Sequence, residues 1–262
     1  MPMADALHIH SVRPLVRYVD EQQAIIEAQV TLGWDPARGG PAPTLTAAYH
    51  IRSADGFEDE GEAGLSFEQG VASLRVELVQ PQRWWPAGMG EQALYELTIE
   101  LRAGRRRLSR RRVTLGLTSV RSHAAEGSAG AGADADNESR LLVNGQVCEI
   151  RSVVLVDRVD EAQLLPASGD ALLLVRDHYA PDVLYDAADR AGVLLVQAVP
   201  VHPQGTPEVD VEAQVDRLGT HPSLAGWFVG HLGRLSGPVA ARLRQLDPAR
   251  SVFHDFPADP AA

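Results

Sequence analysis

There is no lysine in this chain. All 24 basic residues are arginine, so a Schiff-base lysine and the phosphate-binding P-loop, both of which need an ε-ammonium, are excluded. Cysteine occurs once, at Cys148, which rules out an internal disulfide framework and any cysteine-rich zinc site. A single thiol of this kind reads as a packed residue rather than a nucleophile. No run of about 18 apolar residues occurs, and the opening MPMADALHIH has neither a basic n-region nor an apolar h-region. No signal peptide or transmembrane segment is visible, and the chain reads as soluble, its compartment cytoplasmic or unknown, with nothing marking export and no membrane partner. Positive charge is also in deficit: 24 arginines against 35 acidic residues leave a net charge of −11, which argues against nucleic acid as a partner. No cofactor motif is present, and no cofactor is expected.

What remains is apolar enough, at 45% of 262 residues, to fill two cores. From His8 to about Val120 the apolar residues alternate with period two, at residues 24–32, 45–51, 72–78 and 94–101, with turn chemistry at 39–43 and at Asp55-Gly56. Several short strands at this spacing predict an immunoglobulin-like β-sandwich over residues 8–121. Within it, RWWPAGMGEQALYELTIEL (residues 83–101) bends through Pro86, Gly88 and Gly90, and Trp84 and Trp85 supply apolar area. Tyr95 buries its ring while its hydroxyl finds a backbone partner. Seven arginines between Arg102 and Arg112 flank an Ala103-Gly104 turn. They predict a hairpin with a solvated arginine face, an anion or partner site being the alternative. Residues 122–140, rich in Gly, Ala, Ser and Asp without periodicity, read as a flexible linker.

From Leu141 the pattern changes. Asn144-Gly145 between two apolar runs is a hairpin signal. Strands then alternate with helical patterns: strand 171–175, helix 181–191 stopped by Gly192, strand 193–199, helix 209–218, strand 224–229, helix 238–246 and strand 252–253. Such alternation predicts parallel βα units. Residues 141–262 are 122 in number, against about 250 for a complete (β/α)₈ barrel. The predicted architecture is multidomain, β plus α/β: a sandwich, then an incomplete (β/α) TIM-type barrel over 141–262.

Two stretches resemble glycoside hydrolase family 2, the β-galactosidases, β-glucuronidases and β-mannosidases. One is the Trp-Pro-x-Gly-x-Gly-x-Gln-x-Leu-Tyr run above, which is similar to the entry to a late strand of that family's immunoglobulin-like domain, particularly in the β-mannosidase branch. The other is HPSLAGWFVGHLG (residues 221–233), which resembles the family's His-Pro-Ser strand ending in an Asn-Glu pair. GLTSVR (116–121), the Asn144-Gly145 hairpin, the Tyr185, Asp186, Asp189, Gly192 helix and LDPARSV (246–252) extend the likeness to roughly residues 10–255. The resemblance implies that His231 and Leu232 occupy the positions of the Asn and of the Glu that serves as general acid/base.

Leucine cannot carry a proton, and strand one has Ser152, Val154 and Val156 where the family has Gly, Asn and His. Ala198 stands where many relatives have a carboxylate. The nucleophile strand, the seventh, has no counterpart in this sequence, nor does the family's N-terminal jelly roll. Retaining glycosidases need two carboxyl groups about 5 to 5.5 Å apart, so the favoured reading is a non-catalytic relative acting as a carbohydrate-binding or assembly module. Arg176, His178 and His231, at strand ends, are the candidate ligand-binding residues. Two open barrel edges imply a homo-oligomer or a partner chain. The alternatives are an O-glycosyl hydrolase whose barrel a partner chain completes, and a metal-assisted hydrolase using His178, His202, His231, His254 and Asp255 along one rim.

Overall fold

The computed structural model describes residues 7–33, 44–65, 70–122, 140–156, 171–200 and 207–254. The chain divides into two compact units, Met1–Gln82 with Ala93–Leu117, and Arg83–Gln92 with Thr118–Ala262.

The first unit contains β1 (His8–Val19), β2 (Gln23–Gly33), β3 (Leu45–Ser53), β4 (Glu58–Leu65), β5 (Val71–Val79), β6 (Leu94–Ala103) and β7 (Arg106–Gly116). They form two antiparallel sheets, ordered β1-β2-β5 and β4-β3-β6-β7. Every second residue of β5 is buried, as in a strand with one face on a core and one in water. Ile26, Val76 and Leu78 of the first sheet share one core with Ile51, Leu97 and Ile99 of the second. Two stacked sheets of this kind are the expected sandwich. The Tyr95 hydroxyl accepts the Gln82 amide at 2.8 Å, the backbone partner its position called for.

The β6–β7 hairpin turns through Gly104 at φ 58°, and its arginines stand against glutamates. Glu100 bonds Arg102 at 2.9 Å and Arg107 at 3.2 Å, and Glu96 pairs with Arg112 at 3.1 Å and Arg52 at 2.8 Å. The hydrogen bond from Arg102, reinforced by Arg107, holds the Glu100 carboxyl below its ordinary range. Strand β4 departs from the expected strand list. Its inward positions, Asp59, Gly61 and Ala63, are polar or small because the Tyr49 ring crosses from β3. A Cβ on Gly61 would lie 2.6 Å from that ring, and the Tyr49 hydroxyl donates to Asp59 at 3.0 Å.

Burial, then the Asp59 hydrogen bond and charge, push the Tyr49 phenol up to about 12. A phenol raised in the folded state stabilises the fold fully below its unfolded value of about 10. That contribution is lost as pH rises from about 10 through 12. Absorbance titration of tyrosinate is expected to show a late-ionising group in the wild type that Tyr49→Phe removes; unchanged titration curves would contradict the assignment.

The second unit begins with an antiparallel sheet ordered β10-β9-β8, from β8 (Val120–Ser122), β9 (Arg140–Val143) and β10 (Gln146–Glu149). Asn144 at φ 50° and Gly145 at φ 82° make the hairpin turn between the last two, the left-handed pair that a type I′ turn requires. Next come β11 (Ser152–Val156), β12 (Ala171–Val175), α1 (Asp182–Ala191), β13 (Leu194–Ala198), α2 (Pro207–Leu218), β14 (Leu224–Phe228), α3 (Ser236–Leu246) and β15 (Ser251–Phe253). The five strands form one parallel sheet in sequence order. Every residue of β12 and β13 is buried, which explains their unbroken apolar runs. Leu173, Val175, Leu195 and Trp227 pack with Leu184, Val215 and Leu243 of the helices.

Arg83–Gln92 leaves the sandwich between β5 and β6 and belongs with the second unit. Trp84, wholly buried, donates its indole N–H to the Asp189 carbonyl at 2.8 Å. Asn144 donates to the Trp84 carbonyl at 2.9 Å, and the Ala87 amide donates to the Gly192 carbonyl at 2.9 Å. Gly192 caps α1 at φ 72°, and a Cβ there would lie 2.4 Å from the Ala87 nitrogen. The ends of the expected linker, Ser122 and Arg140, are strand residues; 123–139 lie outside the described residues.

Candidate functional site

In a parallel sheet flanked by helices, the carboxyl ends of the strands are where side chains are free to do chemistry. Arg176 follows β12 and is partly exposed, its Nε 3.9 Å from the Asp177 carboxylate. Two residues on, His178 has a buried side chain, and its carbonyl accepts a 2.8 Å hydrogen bond from Gln197 Nε2. Gln197 lies on β13 beside Ala198, with no exposed surface. Its amide also donates to the Ala198 carbonyl at 2.7 Å, and its Oε1 accepts from the Tyr185 hydroxyl at 2.6 Å. This glutamine anchors the loop that carries Arg176 and His178. Sequence reasoning passed over it, although one amide inside an apolar strand was the available signal.

After β14 the chain enters a 3-10 turn, Gly230–Leu235. His231 projects outward, its ring stacked on Phe228 with centroids 5.4 Å apart and planes 21° apart. Its Nε2 donates to the Val199 carbonyl at 2.8 Å, which leaves Nδ1 as an acceptor. Leu232 turns the other way. It is 7% exposed and packs in the apolar core formed with Val239, Ala240 and Leu243. The turn therefore presents an imidazole on an aromatic ring and withdraws the neighbouring side chain.

His254, after β15, is exposed, with Nε2 3.4 Å from Arg244. His202 and Asp255 lie outside the described residues. Among the described residues, the group of three ligand-type atoms within 4.8 Å of one another is Asp186, Asp189 and His221, away from the histidine rim. Asp189 Oδ2 bonds His221 Nδ1 at 2.7 Å, and its Oδ1 accepts the Ser223 amide at 3.0 Å. That carboxylate thus secures the start of β14. The next strand is secured in the same manner. Arg250 donates to the carbonyls of Leu224 at 2.9 Å and His221 at 2.8 Å, while buried Asp247 accepts the Trp227 indole N–H at 3.0 Å. The polar groups at the amino ends of these strands are committed to the fold.

The model of the glycosyl hydrolases family 2 matches residues 7–117. Beta-mannosidase A of Aspergillus terreus is 29% identical across 62% of this chain and 20% of its own length. Exo-beta-D-glucosaminidase of Streptomyces avermitilis is 27% identical across 59% of this chain and 19% of its own. The chain spans about a fifth of the length of these curated relatives. Among solved structures, a beta-glycosidase from Bacteroides vulgatus superposes on 98% of this chain and 34% of its own, with a TM-score of 0.71 at 16% identity. A beta-D-mannosidase from Dictyoglomus thermophilum covers 97% of this chain and 35% of its own, with a TM-score of 0.68 at 20% identity. Such identities establish fold. With the family model on the sandwich and the two curated relatives, they lead to one conclusion: residues 7–117 match the glycosyl hydrolases family 2, and the chain is similar to members of that family.

Proposed function

We propose that this chain is a non-catalytic family 2 scaffold, with the carboxyl ends of β12 to β14 serving as a carbohydrate-binding surface. The observation that carries the reading is Leu232. At the position of the family's acid/base glutamate it bears no ionisable group and lies buried in an apolar core. Protonation of a leaving oxygen needs a carboxylic acid at the sugar. An arginine, an imidazole and an aromatic ring can still hold one: Arg176 and His231 offer hydrogen bonds to hydroxyls, and Phe228 offers a ring face.

The five parallel strands are read as half of a (β/α) barrel, since they lie side by side in sequence order. An assembly role is the second form of the same proposal. Among the described residues β11 and β15 each pair on one side only, and such edges favour pairing with another chain or copy.

The test is calorimetric titration with β-linked mannosides, galactosides and glucuronides. Saturable heat with at least one class, weakened about tenfold or more by His231→Ala, is the expected result. Absence of heat with every sugar would overturn the binding reading and leave assembly, to be read from the mass in solution.

A further inference from the structure

We propose that the outer face of the four-stranded sheet is a self-complementary docking surface for a second copy of this chain. The register of β4, β3, β6 and β7 sets the outward side chains in rows across the sheet. One row runs Glu60, His50, Thr98, Arg112, and the next Glu62, Ala48, Glu100, Arg110. The face is thus graded, with carboxylates along the β4 edge and guanidiniums along the β7 edge. Its centre is little exposed: Thr98 lies in an outward row yet is 3% exposed. Both signs are present in near balance, so within a chain of net charge −11 a like copy meets little repulsion at this face.

The sheet order β4-β3-β6-β7 makes this grading self-complementary. A two-fold axis parallel to the strands, between β3 and β6, lays the β4 of one copy over the β7 of the other and keeps the rows aligned. Glu60 then faces the partner's Arg112, Glu62 the partner's Arg110, and Arg52 the partner's Glu96. Face-to-face sheets stand about 10 Å apart, a gap that arginine and glutamate side chains span from opposite sides. Four strands of this length present roughly 500 Å² per copy, the size of a weak, reversible interface. Such a dimer is held by charge and is sensitive to salt.

Sedimentation equilibrium of the full chain tests this. The dimer dissociation constant is expected to rise about tenfold or more between roughly 30 mM and 300 mM salt. Glu60→Arg with Glu62→Arg is expected to leave a monomer, as is Arg110→Glu with Arg112→Glu. An equal mixture of the two variants is expected to regain the dimer, since each reversed edge then meets its opposite. If the second variant fails to fold, because its new carboxylates stand beside Glu96 and Glu100, the first variant and the salt series still decide. A monomer at low salt up to about 0.5 mM overturns the proposal. So does a dimer that survives the Glu60 and Glu62 reversal, which would instead point to pairing through β11 or β15.

Discussion

Trp84→Ala is expected to destabilise the second unit by about 3–5 kcal/mol. The side chain has no exposed surface, and its indole N–H satisfies the Asp189 carbonyl. Truncation leaves a cavity the size of the ring system and an unpaired buried carbonyl, and both costs fall on the unit to which Arg83–Gln92 belongs. Hydrogen exchange during urea unfolding separates the units. Residues 171–200 are expected to lose protection at lower urea than in the wild type, while β5 and β6 keep theirs. Trp85→Ala is the control: Trp85 is half-buried under Arg83, whose guanidinium lies 4.8 Å from the ring centroid, and its loss is expected to cost about 1 kcal/mol. Equal loss of protection in both units after Trp84→Ala would contradict the assignment of this stretch to the second.

Leu232→Glu, which restores the family's acid by name, is expected to destabilise by about 3–5 kcal/mol at neutral pH and to create no glycosidase. The new carboxyl would replace a side chain of the apolar core to which Val239, Ala240 and Leu243 belong. Burial there raises its folded pKa above the unfolded value of about 4.3. The sign follows from linkage: the protonated acid is the form the core tolerates, so the variant is least destabilised below about pH 4 and loses stability as pH rises through the raised folded value. Urea midpoints at acidic and neutral pH, compared with wild type under the same conditions, measure this. A variant as stable as the wild type at neutral pH that also releases sugar would show position 232 facing a substrate instead of the core.

Much of this arrangement was legible in the sequence because the relevant signals are local. Period-two burial in β5, the Asn144-Gly145 turn and the Gly192 cap each follow from a few neighbouring residues. Strand β4 was not legible, since its inner side is lined by Asp59, Gly61 and Ala63 and the apolar cover comes from Tyr49 on another strand. The place of Trp84 was not legible either. Its indole and backbone partners, Asp189 and Asn144, lie far along the chain, and no periodicity reports contacts at that separation. At the carboxyl ends, Arg176, His178 and His231 were visible as polar residues after strands. What the sequence withheld was the direction of each side chain in the 3-10 turn: His231 stacked on Phe228, Leu232 folded inward.

The most direct test of the central claim is a hydrolysis assay of the wild-type protein at high concentration on aryl β-mannosides, β-galactosides and β-glucuronides, the aglycone followed by absorbance for a day. The prediction is release at the spontaneous rate, unchanged as protein is raised tenfold. Release that scales with protein concentration, saturates with substrate and persists through a further chromatographic step would contradict it, and would mean that a proton donor other than residue 232 serves the leaving oxygen.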